Sequence, residues 1–327
     1  MRVLLNQRPG GAYAYISDAW QNAFRSVGVV CERWDGTQNT WQSFAPSLYI
    51  GASGHKQPIP DHRNSCKVAI HCNPYGDVDI HGINESQVDI KWVLDQHPDV
   101  VFGYGFKDDA HFWSKWTVNY GIPWVPMPTA ADITLFNITN RPKLYDIVYI
   151  GGYWSYKSSS IDKWLLPVIR ENSNYCLYGW GKWPAGVKHL GIVKDEDVPN
   201  LLASAKVGPC ISEPHTGLYG IDIPERIWKI VMCGALAIHD NIPRLIDRIP
   251  SLIMAENVEH FRLLCSYYIK ADQTVIDEWC RRQRHDVLTA HTYHHRLSGL
   301  LFALGFDNVA ISMNDYIDNV SINSVNI

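Results

Sequence analysis

The sequence predicts an α/β protein built from two Rossmann-like domains around a cleft. Three observations carry that reading. Short apolar strands alternate with helical segments up to about residue 120, a proline-rich break follows at Ile122-Pro123-Trp124-Val125-Pro126-Met127-Pro128, and the same alternation restarts at Asp146. A chain of 327 residues is long for one core and comfortable for two. The expected division is a first domain over residues 1–125, a linker over 126–145, a second domain over 146–300 and a tail over 301–327. The tail is polar from Ser312 onward, which suits either partial disorder or packing back on the first domain.

In the first domain, Arg2–Gln7 reads as a strand and Pro9-Gly10-Gly11 as the loop after it. A helix is expected from Ser17 to Val27, and strands at Val29–Arg33, Ser47–Ile50, Lys67–His71 and Val100–Tyr104. Helices are expected at Ser86–Gln96 and Asp108–Asn119. Ligands on parallel sheets collect at the carboxyl ends of strands. Those ends carry Gly and polar residues here, Gly10, Gly11, His55 and Asn73 among them, as the wall of a ligand cleft would.

In the second domain, the strand Asp146-Ile147-Val148-Tyr149-Ile150 runs into Gly151-Gly152, and a helix is expected from Ser160 to Glu171. Tyr175–Tyr178 is a strand ending at Gly179-Trp180-Gly181, Asp195–Ser204 a helix and Val207–Ile211 a strand. Gly220-Ile221-Asp222-Ile223-Pro224-Glu225-Arg226 then reads as a glycine loop opening a helix that Gly234 ends. Asp222 is the expected N-cap, Glu225 completes a capping box and Pro224 falls in the first turn. Ile223, Ile227, Ile230, Val231 and Gly234 share one face, and Asp222, Glu225, Arg226 and Lys229 another, with Glu225 and Lys229 spaced as an i,i+4 surface pair. Ala235–Ile238 and Ser251–Met254 are further strands, followed by a charged helical segment.

The totals restrict function. Net charge is −4, so no overall basic field favours nucleic acid, although a local basic groove stays open. Eight cysteines are spread singly with no CxxC, which suits free thiols in a reducing compartment. No apolar run approaches the roughly 20 residues that span a bilayer. These features predict a soluble, cytoplasmic protein with no membrane span, a monomer or weak dimer. His291, His294 and His295 lack Cys or carboxylate partners at ligand spacing, so no metal site is expected. Arg281-Arg282-Gln283-Arg284-His285 reads as a solvated helix face or a phosphate-backbone contact. The aromatic residues at 153–156 and 178–183 suit either core or a base-stacking wall.

Glycines and backbone N–H groups at several strand ends of one domain suit a nucleotide diphosphate. They lie at Gly151-Gly152, Tyr178-Gly179, Gly191–Val193 and the 220–229 segment, with Lys157 and Arg226 as cations to meet its charge. No complete GxGxxG follows the first strand, which argues against a dinucleotide oxidoreductase.

The stretch Asp146–Gly152, the Tyr178-Gly179 turn, Gly191, Pro224-Glu225-Arg226-Ile227-Trp228-Lys229 with Cys233-Gly234-Ala235, and His291-Thr292-Tyr293-His294-His295-Arg296 resemble the spore-maturation (CgeB-like) glycosyltransferases of the GT-B fold. The resemblance covers residues 140–300. The 146–152 and 226–228 patterns are also similar to phage DNA β-glucosyltransferases. This implies a GT-B enzyme whose second domain holds a nucleotide-sugar such as UDP-glucose, without an obligatory metal. A glycan, a protein or a hydroxymethylated DNA base would be the acceptor, held in the first domain with Gly10, Gly11, His55 and Asn73 as its candidate residues. By position, Gly151 and Gly152 would face the diphosphate, Tyr178, Gly179 and Val193 the base, and Arg226 a phosphate, with Tyr153, Lys157, Gly220, Ile221, Asp222, Glu225 and Lys229 completing the donor site. Such enzymes commonly carry Glu where Lys229 stands, to accept bonds from ribose hydroxyls, which lysine cannot do. Glu225 then substitutes, or the donor binds differently, or the chain is a non-catalytic nucleotide-sugar binding protein. For an inverting reaction His71 is the candidate base, with Asp77 in reserve.

Overall fold

A computed structural model describes residues 1–6, 11–60, 66–74, 90–137 and 141–325. The chain divides into two compact units, one of residues 1–134 with 292–327 and one of residues 135–291.

The first unit is a six-stranded parallel sheet, β1 (Arg2–Asn6), β2 (Val30–Trp34), β3 (Leu48–Ala52), β4 (Lys67–His71), β5 (Val100–Gly103) and β6 (Trp124–Pro126), in the order β2-β1-β3-β4-β5-β6. Helices α1 (Gly11–Ser26), α2 (Gln38–Phe44), α3 (Ile90–Asp95) and α4 (Ser114–Tyr120) connect the strands. β1, β3 and β4 read as apolar runs because both faces are covered. Helix α1 starts at Gly11, six residues before the expected Ser17, so Gly11 opens a helix rather than lining a loop. Helix α2 was not anticipated; Thr37 caps it by accepting a hydrogen bond from the Thr40 N–H. The proline-rich stretch starts within the first unit, and the boundary at 134/135 lies inside the expected linker of 126–145. Its Trp124–Pro126 forms the edge strand β6, where a proline costs the sheet nothing on the open side.

The second unit is a five-stranded parallel sheet of β7 (Tyr145–Ile150), β8 (Tyr175–Tyr178), β9 (Ala205–Cys210), β10 (Leu236–His239) and β11 (Ile253–Met254), ordered β11-β10-β9-β7-β8. Its helices are α5 (Ser155–Ser160), α6 (Leu166–Glu171), α7 (Val198–Ala203), α8 (Pro214–Tyr219), α9 (Arg226–Met232), α10 (Leu245–Arg248), α11 (Val258–Lys270) and α12 (Gln273–Ala290). A π-turn over Ile161–Leu165 joins α5 to α6, so helical backbone begins at Ser155 instead of Ser160. Pro167 explains the widening: it has no N–H for the Lys163 carbonyl, and its ring needs the room a wider turn provides.

The chain then returns to the first unit through α13 (Tyr293–Ala303) and α14 (Asp307–Val325). The boundary therefore falls at 291/292, not at 300. Thr292 caps α13 in a capping box with His295, and Leu297, Leu300 and Leu301 sit in the core of the first unit with Trp20, Phe24 and Ile50. Of the two alternatives for the tail, partial disorder or packing back on the first domain, the structure has the second: α14 is helical, with Ala310 and Met313 in that same core.

Candidate functional site

In the second unit the chain lays down β7, places β8 on one side, and crosses back to put β9 on the other. The carboxyl ends of β7 and β9 therefore flank a topological switch point, the position at which open parallel sheets leave a crevice. The β7–β9 ladder stops at Ile147↔Val207, and Pro209, which has no N–H to donate, follows two residues later.

Arg226 bridges the two strand ends. Its Nε donates to the Ile150 carbonyl at 2.6 Å and its Nη1 to the Ile211 carbonyl at 3.4 Å. The guanidinium lies over the Tyr149 ring, 4.6 Å from the centroid. Its Nη2 occupies the space that a side chain on residue 151 would fill, so Gly151 is what admits the arginine. Gly179 is required for a similar reason: at φ 149° a Cβ there would strike the Gly151 carbonyl.

Lys157, on the first turn of α5, is buried beside this group, its Nζ 3.8 Å from Glu213 Oε1. Burial and then the like charge of Arg226 lower the Lys157 pKa to about 8, against the opposing pull of Glu213, Asp240 and Asp222. Asp240, itself buried, accepts from the Ser212 N–H at 2.9 Å and from its hydroxyl at 2.6 Å, which fixes the loop carrying Glu213. The Tyr149 hydroxyl is buried with no hydrogen-bond partner among the described residues, and burial raises its pKa.

The structure brings Gly151, Lys157 and Arg226 together, and corrects several other expectations. Asp222 is not the N-cap of α9. It sits at φ 54°, a left-handed conformation rare for a non-glycine, and its carboxylate meets His215 Nε2 at 3.0 Å. Glu225 is the residue preceding the helix, in helical conformation and with no side-chain cap. Because α9 has only seven residues, its dipole contributes little; the longer helical stretch entered at Ser155, also without a side-chain cap, points its N-terminus after β7. Gly151 N–H is already committed to the Tyr178 carbonyl at 2.9 Å, Tyr153 N–H to Trp180 at 2.8 Å and Gly179 N–H to Gly191 at 2.8 Å. Gly152 N–H donates to no described residue.

Among the remaining donor-site candidates, Gly220 ends α8 at φ 70° and is buried with Ile221, so both serve the core. Lys229 pairs with Glu225 at 3.0 Å, and its Nζ lies 5.1 Å from the Phe136 ring centroid, making the expected i,i+4 pair a largely buried one. Tyr153 turns its hydroxyl to Asp162 at 2.9 Å and its ring to Trp183. Tyr178 and Val193 are half-buried at the β8 edge. Arg281 and Arg282 pair with Glu278, while Gln283 is buried and exchanges two hydrogen bonds with the backbone of Ala237.

The first unit has its own switch point between β1 and β3. Asn6 closes it, donating to the Tyr49 hydroxyl at 3.1 Å and to the His55 carbonyl at 2.9 Å. His71 ends β4 and is 7% exposed among rings, 4.3 Å from Tyr104, 5.6 Å from Phe102 and 6.0 Å from Tyr13. Asn73 follows it, half-buried. Gly10 and Asp77 lie outside the described residues. His291 packs on Trp228, and His294 on Tyr316, each in a separate unit from the other. Among the described residues no group of three or more His, Cys, Asp or Glu side chains could hold a metal ion, and no helix is long and apolar enough to cross a membrane.

Residues 159–301 match the model of the glycosyl transferase-like family. None of the curated proteins matches the sequence. Sucrose-phosphate synthase from Thermosynechococcus elongatus superposes over 98% of this chain and 99% of its own, with a TM-score of 0.61 at 10% identity. T4 phage β-glucosyltransferase, solved in complex with its UDP-glucose substrate, matches over 95% and 99% with a TM-score of 0.59 at 12% identity. The fold is GT-B. In GT-B terms, residues 135–291 form the unit carrying most of the glycosyl transferase-like match, and the Arg226–Lys157 cluster lies at the switch point of that unit.

Proposed function

We propose that the chain is a glycosyltransferase of the kind the spore-maturation resemblance implies. It binds a nucleotide-sugar such as UDP-glucose in the unit of residues 135–291 and transfers the sugar to a hydroxyl acceptor. The observation that carries this reading is Arg226 spanning the carboxyl ends of β7 and β9 with buried Lys157 beside it. As the bond from the sugar to the phosphate oxygen breaks, negative charge grows on the departing diphosphate. A guanidinium already fixed by two carbonyls stabilises that charge without having to reorganise. Gly152 N–H and the uncapped entry to α5 add neutral donors to the same anion. Arg226, Lys157, Gly151 and Gly152 are the residues we assign to the diphosphate. Tyr178, Gly179 and Val193 are assigned to the base.

In the first unit, the ends of β1, β3 and β4 supply the acceptor side, with Asn6, His55, His71 and Asn73 there and Gly11 at the start of α1. His71 is the group we assign to taking up the hydroxyl proton. A glycan, a protein and a hydroxymethylated DNA base all offer the hydroxyl that this chemistry needs.

Incubation with UDP- and GDP-sugars is expected to give donor hydrolysis or transfer, and Arg226→Ala to lower it at least tenfold. A folded Arg226→Ala protein with unchanged turnover removes the phosphate role. The Lys229–Glu225 pair favours a second reading, a nucleotide-sugar binding protein without turnover, because the lysine at this position cannot accept from ribose hydroxyls. Calorimetric binding with no product, with every acceptor class supplied, would favour it.

A further inference from the structure

The aromatic residues of the 178–183 segment separate into two kinds in the structure. Trp183 belongs to the core of the second unit, its ring 6.1 Å from Tyr149 and 5.2 Å from Tyr153. Trp180 does not: at the carboxyl end of β8 it is 54% exposed. Leu190 and Ile192, also exposed, flank Gly191, whose carbonyl accepts from the N–H of Gly179, the residue before Trp180. Three large apolar side chains are thus brought to one edge of the sheet, where singly scattered ones would need no explanation.

The indole is held in place. Gly179 at φ 149° and Gly181 at φ 100° flank it, and a Cβ on either would strike backbone, of Gly151 and of Tyr153 respectively. The Trp180 carbonyl accepts from the Tyr153 N–H at 2.8 Å. Gly152 lies against the ring itself. A Cβ on Gly152 would fall within 2.8 Å of Cε2, Nε1 and Cζ2, three consecutive ring atoms. The middle one, Cε2, is the nearest, as when an atom stands over the flat of the ring; approach from the rim would bring Nε1 or Cζ2 closer. Backbone therefore covers one face of the indole, and the opposite face carries the exposure. Among the described residues the one ring beside it is Trp154, 6.1 Å away and tilted by 34°.

We propose that Trp180 is the platform on which the base of the nucleotide-sugar stacks. The assignment rests on the nucleotide-sugar reading above and adds the residue that tells a nucleotide from a bare diphosphate. Gly152 N–H is a neutral donor to the diphosphate in that reading, and the same residue carries the indole. One ribose separates the base of a nucleotide from its diphosphate. A diphosphate held at Gly152 therefore leaves its base within a sugar's length of the ring. Stacking uses the π face that every base has, so this contact holds a nucleotide without choosing among bases.

Calorimetry on the full chain with uridine, guanosine and adenosine diphosphates, and with ribose 5-diphosphate as the base-free analogue, tests this. Trp180→Ala is expected to weaken every nucleotide the wild type binds by about tenfold or more, and to leave ribose 5-diphosphate unchanged. Trp180→Phe keeps a flat ring and should stay within about threefold of wild type. Trp180→Leu, apolar but without a π face, should lose as much as the alanine variant. The factor lost should be the same for uridine diphosphate and for its glucose conjugate. No weakening by Trp180→Ala, equal weakening of the base-free analogue, a leucine variant as good as phenylalanine, or a loss confined to the glucose conjugate each overturns the platform while leaving the diphosphate site standing. Failure of the wild-type chain to bind any of these nucleotides overturns the donor reading itself, and the platform with it.

Discussion

Lys157 links the chemistry of the site to pH in two opposite directions. Its pKa is about 8 in the folded chain against 10.5 for an ordinary lysine, so between these values the unfolded chain binds the extra proton. Folding stability from this group therefore rises as pH climbs from about 8 towards 10.5. On the proposed function anion binding should move the other way, because the ammonium assigned to the diphosphate is lost as pH rises. Nucleotide affinity measured at pH 7 and pH 9.5 is expected to fall severalfold more in the wild type than in Lys157→Met. Equal pH slopes in the two proteins would remove Lys157 from the site. Lys157 and Arg226 were legible in the sequence as cations near glycines. Tyr149, Glu213 and His215 were not, because what they touch depends on the chain crossing back past β7 to lay down β9, which no local pattern encodes. The run Ser212-Glu213-Pro214-His215 did carry a signal, since a proline just after a strand and an acidic residue marks a helix start.

At the scale of elements, apolar runs gave the strands reliably because a parallel sheet buries both faces. Helix starts were harder. Asp222 has the chemistry of an N-cap, yet a partner seven residues earlier, His215, claims its carboxylate, so the tertiary contact displaced the local preference. Likewise Pro126 looked like a break and is an edge strand residue, which only the sheet order reveals. The loop at Gly151 offers an element-level test. Gly151→Ala puts a methyl group where Arg226 Nη2 lies, and should displace the guanidinium and lower nucleotide affinity as Arg226→Ala does. Overpacking at this position is expected to cost about 1–3 kcal/mol of stability, readable in denaturant melts. Affinity equal to wild type would show that the arginine has another place to go.

For the molecule as a whole, the sequence indicated two parallel sheets and offered a tail packed back on the first, but not that the return begins at Thr292 with α13. α13 and α14 follow the second unit in sequence and belong to the first, where Leu300 is wholly buried. Leu300→Ala is expected to destabilise by about 2–5 kcal/mol. The loss should appear in the transition of residues 1–134 with 292–327, not in that of 135–291, when hydrogen exchange follows each unit separately.

The return of α13 and α14 also sets an order of events during synthesis. A ribosome that has released residues 135–291 has supplied everything the later-encoded unit needs, while the earlier-encoded one still lacks Leu297, Leu300 and Met313 from its interior. The front half of the chain must therefore wait, with the core around Trp20 and Phe24 of α1 incomplete, for a closing piece translated more than a hundred and fifty residues afterwards. A chain truncated after residue 291 should give a protease-resistant fragment from the middle of the protein and none from its beginning.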